Sequence, residues 1–149
     1  MARFIAAEAG FLLAVLWFDL MFDVQVAHRD PRDVSEHEMA SIASYYRRVT
    51  TAAHPMNRLI AAVMVATLGS IIAEIARADR PHWLGWISLL LAGAAILLAG
   101  ARTVPSAVRL GSRTDSAERQ AKLARSILFD HLLCATAILT LLIIQLAFA

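Results

Sequence analysis

Two aspartates lie one helical turn apart near the end of an otherwise apolar segment. They are Asp19 and Asp23, within the stretch LWFDLMFD. A charged side chain in the centre of a bilayer costs about 2.5–3.5 kcal/mol on insertion scales, so acids in such segments usually face the protein interior and have a partner. On a helix, Glu8 falls within about 20° of Asp19. The sequence therefore predicts one acidic face on the first helix, directed into a helical bundle.

Side chains able to pair with these acids occur near the ends of the other apolar segments. They are His54, Asn57, Arg58, Arg102 and His131. Imidazole exchanges protons near neutral pH, and guanidinium groups bind anions. We interpret Asp19, Asp23 and His131 as candidate catalytic residues. We interpret Asn57, Arg58 and Arg102 as candidate substrate-binding residues.

Three kinds of site fit this set of residues. The first is a network of buried ion pairs, in which Arg58, Arg102 or Arg109 neutralises the aspartates and no chemistry occurs. The second is a metal site. The third is a polar pocket for a small lipophilic molecule, or a proton path, in which burial disfavours charged carboxylates unless an arginine compensates.

The metal site would use four ligands, namely Asp19, Asp23, His54 and His131. Carboxylate and imidazole ligands suit iron, manganese or zinc. The Glu-x-x-His pairs typical of di-iron helical bundles do not occur in the sequence. The identity of any cofactor is therefore left open.

The elements that position these residues follow from the composition. Hydrophobic residues make up 59% of the 149 residues and charged residues 17%, whereas soluble domains are nearer 45–50% and about 25%. The excess falls in four segments of a single domain, at roughly 4–26, 56–76, 83–101 and 127–148. Each is close to the ~20 residues needed to cross a bilayer. The sequence predicts an all-α bundle of four transmembrane helices.

The basic residues indicate the orientation of these helices. Eleven of the 14 lie between the first and second or between the third and fourth segments, with Arg58 counted at the start of the second. The positive-inside rule then predicts that both long loops are cytoplasmic, that both termini are outside, and that the protein resides in the cytoplasmic (inner) membrane. Trp83 and Trp86 begin the third segment, where an outer aromatic belt is expected.

The first long loop is itself expected to be helical. Ser35 and Glu38 form a capping-box pattern, and apolar residues then recur at helical spacing, which predicts an amphipathic helix over about 36–51. We expect it to lie on the inner surface or to run on into the second span. Tyr45 and Tyr46 are interpreted as interfacial anchors rather than as catalytic groups.

The second long loop carries signals for a bend and for a new helix. Pro105 and Gly111 predict a bend after the third segment. Residues 115–118 resemble a helix start, and that helix is expected to continue without a break into the fourth segment. Gly93 and Gly100 are one heptad apart and suggest close helix contacts.

Two short motifs resemble a group of small four-helix membrane proteins of unknown function that includes the anthrone-oxygenase-like proteins. The motifs are RTVPSAVRL and RSILFDHLL, and the matching residues are Pro105, Arg125 and His131. The resemblance implies the same four-helix architecture over most of the chain and supports a role for His131. Ala107 and Cys134 stand where that group has an asparagine and an arginine.

Two functions remain open. In the first, a site in the cytoplasmic half of the bundle binds a small molecule or cation, with or without catalysis. In the second, the chain is a non-catalytic accessory subunit of a larger membrane complex. Membrane lipids are expected partners, self-association is possible under either function, and the sequence has no nucleic-acid-binding motif.

Overall fold

The computed structural model describes residues 1–27, 34–78 and 80–148, and within these ranges the chain is helical and contains no strand. These described ranges contain six α-helices, α1 to α6. Their bounds are Ala2–Asp23, Glu36–Arg47, His54–Arg77, His82–Leu98, Val104–Ser112 and Ala117–Ala147. A 3₁₀ turn at Val24–Val26 extends α1, and π-turns at Arg48–Ala52 and Ala99–Thr103 follow α2 and α4. Arg29 and Arg32, which contribute to the predicted basic loop, lie outside the described residues.

Four continuous helical segments are long and apolar enough to cross a membrane. They are Ala2–Val26, His54–Arg77, His82–Ser112 and Ala117–Ala147. The first, second and fourth agree with the predicted segments at one or both ends. The third has 31 residues where 83–101 was predicted, because the helix continues through Pro105 to Ser112.

The four long helices form a bundle with two ends. The terminal end holds the start of α1 and the end of α6, and the α2 end holds α2 and α5. α1 packs most extensively along α6, and α4 packs on α6 and α3. The central core includes Ile5, Ile71 and Leu141, all fully buried, while α2 and α5 cover a second core at the α2 end. α3 is the least enclosed helix, because Thr67 is its first buried residue.

The capping box that the sequence predicts at the start of α2 is confirmed. The backbone N–H of Glu38 donates to Ser35 Oγ at 3.2 Å, and the backbone N–H of Ser35 donates to Glu38 Oε2 at 3.0 Å. Such caps stabilise a helix by about 1 kcal/mol. The α-helical part ends at Arg47, earlier than predicted, and the π-turn then carries the chain to Ala53, where the backbone leaves the helical conformation before Pro55.

The third span does not end near 101, before Pro105, as the sequence analysis predicted. The helix continues through Pro105 to Ser112. The preceding π-turn, in which the Val104 N–H bonds to Ala99 O, changes the hydrogen-bond register just before the proline, which has no N–H of its own.

Gly111 serves packing instead. A Cβ there would lie 2.8 Å from the backbone nitrogen of Arg47, so its absence lets α2 and α5 touch. A Cβ at Gly93 or Gly100 would meet nothing within 4 Å, and the expected close contacts at these two glycines are therefore not formed within the described chain.

The predicted continuity of the last helix is confirmed. α6 runs unbroken from Ala117 to Ala147, with Ser116 rather than Asp115 at the N-cap position. Asp115 instead binds Arg109, whose Nε and Nη2 atoms lie 2.6 and 2.7 Å from its two carboxylate oxygens. The bidentate contact holds the end of α5 against the start of α6.

Candidate functional site

A buried hydrogen-bonded cluster joins α1, α2 and α6 near the α2 end. Its centre is Asp23, which is fully buried. The Tyr46 hydroxyl donates to Asp23 Oδ1 at 2.5 Å, and His131 Nδ1 lies 2.6 Å from Asp23 Oδ2. Each carboxylate oxygen of Asp23 therefore has a partner on a different helix.

Asp19 forms a second, more open part of the cluster. The Tyr45 hydroxyl donates to Asp19 Oδ1 at 2.6 Å, while Asp19 Oδ2 lies 3.8 Å from His131 Nε2. The ring of Phe22 stacks on Tyr45 with 3.9 Å between ring centroids. His131 thus lies between the two aspartates, within hydrogen-bonding distance of Asp23 and just beyond that distance from Asp19.

The helical geometry explains how two adjacent tyrosines serve two aspartates. Asp19 and Asp23 are four residues apart, so their side chains stack one above the other on α1. Tyr45 and Tyr46 differ by about 100° around α2, and that angle separates their hydroxyls enough to reach successive turns of α1. Burial is the main cause that raises the pKa of both tyrosines, and the nearby carboxylates raise each pKa further. Both hydroxyls therefore remain protonated donors.

The partners of His131 determine which of its nitrogen atoms is free to act. A hydrogen on Nδ1 donates to Asp23 and satisfies both groups. That bond orients the ring and leaves Nε2 directed at Asp19 and the neighbouring cavity. The arrangement matches the carboxylate–imidazole pair of general acid–base catalysts, in which the acid positions the base.

A cavity of about 360 Å³ lies beside this cluster, between α1, α3, α6 and the helix formed by α4 and α5. Most of its wall is apolar and includes Leu12, Met64 and Ile138. The polar side chains in the wall are Asp19, Tyr46, Thr50, Asn57, Thr103, His131 and Cys134. Their positions along the helices place them mainly towards the α2 end, so the cavity has a polar end and an apolar end.

The cavity wall includes side chains that are also exposed on the outside of the bundle. These are Ala61 on α3 and Val104 and Val108 on α5. The first half of α3 buries no side chain. The space therefore opens sideways between α3 and α5, through apolar surface.

The arginines do not bind the aspartates as the sequence analysis expected. Arg102 Nη2 lies 3.1 Å from Asp130 Oδ1 and 2.8 Å from Ser126 Oγ. Arg109 binds Asp115 at the end of α5. Arg58 is exposed at the start of α3. Buried Asp–His and Asp–Arg pairs do exist, but tyrosine and histidine occupy the positions that arginine was expected to take beside Asp19 and Asp23.

Of the other predicted site residues, one lines the cavity and one does not. Asn57 lines the cavity and donates through Nδ2 to Val49 O. His54 is exposed and does not join Asp19, Asp23 and His131. Across residues 1–27, 34–78 and 80–148, no three His, Cys, Asp or Glu side chains are arranged to hold a metal ion.

Sequence reasoning missed the role of Tyr45 and Tyr46, which it assigned to the membrane interface. The available signal was the apolar stripe of α2, because Tyr46 falls on the buried face with Met39 and Ile42. A tyrosine on a buried face needs a partner for its hydroxyl, and the acids of α1 are suitable acceptors.

A separate polar cluster lies at the terminal end. Arg80 Nη1 lies 3.3 Å from Glu74 Oε1 and 3.0 Å from Gln145 Oε1, and Gln145 Nε2 donates to Ser88 Oγ at 3.0 Å. Glu8, which was predicted to share a face with the two aspartates, accepts from Ser70 at 3.1 Å. It belongs to the terminal half of the bundle and not to the His131 cluster.

The chain matches no protein-family model, and no curated protein or solved structure is significantly similar to it.

Proposed function

We propose that the chain is an integral membrane protein with its α2 end in the cytoplasm and both termini outside. Four helices have the length and hydropathy to cross a bilayer. Eleven of the 14 basic residues fall within residues 29–58 or 102–125, around the two connections at the α2 end. Trp83 and Trp86 are exposed near the terminal end, where an aromatic belt would contact the outer interface.

Within this protein, the cavity binds a small, mainly apolar molecule that carries a neutral hydroxyl or a protonated amine. The apolar wall favours a lipophilic body, and the polar end supplies the groups that orient it. Two carboxylates and one imidazole face each other there, so the site carries at most one positive charge against two negative charges. Arg58 and Arg102 do not line the cavity. An anionic group would therefore be repelled, contrary to the role first expected for these arginines.

The single observation that carries this proposal is the 3.8 Å gap between His131 Nε2 and Asp19 Oδ2. The gap is too long for a direct hydrogen bond, yet one oxygen atom placed beside it would lie about 2.8 Å from both. A ligand hydroxyl meets this requirement in either of two protonation states. It donates to Nε2 of the neutral imidazole and accepts from Asp19 as the carboxylic acid, or it accepts from Nε2–H of the imidazolium and donates to the carboxylate.

The chemistry that such a site performs is proton transfer. His131 Nε2 accepts the hydroxyl proton, and Asp23 stabilises the resulting imidazolium through Nδ1. Both tyrosine hydroxyls are engaged with the aspartates, and the Cys134 thiol is directed to Ala95 O. The site is therefore better suited to acid–base chemistry, or to binding alone, than to covalent catalysis.

The test is to purify the protein from its native membrane and to identify small molecules that co-purify, using mass spectrometry of organic extracts. Ala61→Phe fills the cavity from its open side, whereas Ala62→Phe places the same ring on an exposed position that does not line it. We expect the ligand to be lost from Ala61→Phe and from His131→Ala and retained in Ala62→Phe. If a co-purified apolar molecule bound Ala61→Phe and Ala62→Phe equally, this cavity would be excluded as its site.

A second candidate function is that of a non-catalytic accessory subunit of a larger membrane complex. The observation that favours it is the open first half of α3, which another membrane helix could cover. Native gels after gentle detergent extraction distinguish the two functions. Co-migration with a large enzyme supports the accessory role, and a ligand-bearing monomer or homo-oligomer argues against it.

Membership of the anthrone-oxygenase-like group is likewise a proposal. It is supported by the three matching residues Pro105, Arg125 and His131, of which His131 lies in the cavity wall. A ligand with a phenolic hydroxyl would strengthen it, because such a molecule meets the requirements of the cavity described above.

A further inference from the structure

Three arginines stand at the junction between α2 and α3. Arg47 ends α2, Arg48 begins the π-turn, and Arg58 lies in the second turn of α3. All three are exposed. Within the described part of the chain, none of them forms a hydrogen bond or ion pair through its side chain. We refer to Arg47, Arg48 and Arg58 as the junction arginines.

Five other basic side chains at the α2 end differ in this respect. Acidic partners neutralise Arg102, Arg109, Arg113, Arg119 and Lys122. No aspartate or glutamate occurs anywhere in residues 39–73, so the sequence supplies the junction arginines with no local counter-charge. The result is a patch of three positive charges in residues 47–58, which contain no acidic side chain.

Hydrogen bonds hold this patch in a defined conformation. Asn57 Nδ2 donates to Val49 O, which ties the start of α3 to the π-turn. Within the turn, Thr50 Oγ1 donates to Tyr46 O at 2.7 Å, and the Thr51 hydroxyl donates to Arg47 O. The backbone that carries the three guanidinium groups is therefore held in place by hydrogen bonds, and all three side chains are exposed.

We infer that the junction arginines bind the phosphate of an anionic phospholipid in the leaflet at the α2 end. The inference relies on the proposed membrane placement but not on the cavity or its ligand. A guanidinium group binds phosphate oxygens through two parallel N–H donors, and several such groups around one phosphate recognise charge and shape together. Basic residues beside a transmembrane helix are attracted to the negative inner leaflet. α3 begins at the patch, so its apolar surface lies next to the acyl chains of the same lipid.

The experiment measures phosphatidylglycerol retained by the purified full chain in neutral detergent, using native mass spectrometry during a lipid titration. The test variant carries Arg47→Gln, Arg48→Gln and Arg58→Gln. The matched control carries Arg113→Gln, Arg119→Gln and Lys122→Gln, which remove the same charge from paired side chains. We expect the test variant to lose affinity by about 100-fold and the control by less than about threefold. Phosphatidylcholine should bind wild type and both variants alike.

Three results would overturn the inference. The first is equal retention by wild type and test variant, and the second is an equal loss in test and control variants, which indicates charge alone. The third is displacement of the lipid by glycerol phosphate at a similar concentration, which indicates a site for a soluble phosphate.

If the triple variant does not fold, Arg58→Gln and Arg48→Gln are tested singly, with a loss of about fivefold expected for each. Retained lipid in Ala61→Phe would keep the inference intact even where the cavity proposal fails.

Discussion

Nδ1 of His131 lies 2.6 Å from Oδ2 of Asp23, although the two residues are 108 positions apart in the chain. The contact joins the first and last helices of the bundle where Asp23 is fully buried. Tyr46 reaches the other oxygen of the same carboxylate from α2. One side chain thus connects three helices and orients the imidazole towards the cavity.

Asp23→Asn is expected to lower the free energy of unfolding by about 1–3 kcal/mol, because the amide has one acceptor oxygen in place of two and His131 Nδ1–H loses its acceptor unless the imidazole changes tautomer. Asp19→Asn should cost less than half as much, since Asp19 is partly exposed and has one short hydrogen bond. Reversible SDS titration in mixed micelles measures both. Equal losses would show that Asp23 is not the central residue of the cluster.

Removing the tyrosine hydroxyls separately gives a second comparison. Tyr46→Phe leaves one oxygen of fully buried Asp23 without a donor and should cost about 1–3 kcal/mol. Tyr45→Phe removes a donor from the more open Asp19 and should cost about 0.5–1.5 kcal/mol. The same titration provides the readout. A larger effect at Tyr45 would contradict the assigned geometry.

The two tyrosines should not ionise in the folded protein at moderately alkaline pH. Burial raises the pKa of both, so the folded state favours the neutral phenols. Their contribution to stability is present below the ordinary tyrosine pKa of about 10 and declines as the pH rises above it, because only the unfolded chain then ionises. The chain has no other tyrosine. Tyrosinate absorbance should therefore stay low from about pH 8 to about pH 12 and rise only on unfolding, whereas the denatured chain titrates near 10.

Gly111→Ala should destabilise the fold by about 1–3 kcal/mol, because the added methyl group would meet the backbone of Arg47. Gly93→Ala is the matched control. Its methyl group meets nothing, and alanine favours the helix by about 0.5–1 kcal/mol. Thermal unfolding in detergent compares the two. A stable Gly111→Ala protein would mean that α2 packs less closely on α5 than the structure shows.

The four apolar helices, the capping box of α2 and the unbroken α6 follow from local patterns. Length, hydropathy and hydrogen bonding near a helix start depend on residues close together in the chain, so these features were predictable. The continuation of the helix past Pro105 could not be predicted from the sequence, because a π-turn depends on how the flanking turns pack.

The sequence identified several residues of the site but not the partners with which they form contacts. Asp19, Asp23 and His131 stand out as polar groups in apolar helices, and the structure places them together. Arg58 and His54 are likewise polar residues near the end of an apolar segment, yet they are exposed. Nothing in the spacing distinguishes the two groups, because rotation of a helix about its axis moves a side chain from interior to surface without changing its depth.

By itself, therefore, the sequence determined that four helices form, where polar groups interrupt them, and that two of those groups are acids one turn apart on α1. Only the tertiary structure decided that tyrosines and a histidine, rather than arginines, approach these acids. The physical reason is that helix formation depends on contacts within a few residues, whereas the choice among partners depends on the relative rotation and separation of α1, α2 and α6. Those are set by the packing of side chains far apart in the chain, among them Gly111 against the backbone of Arg47.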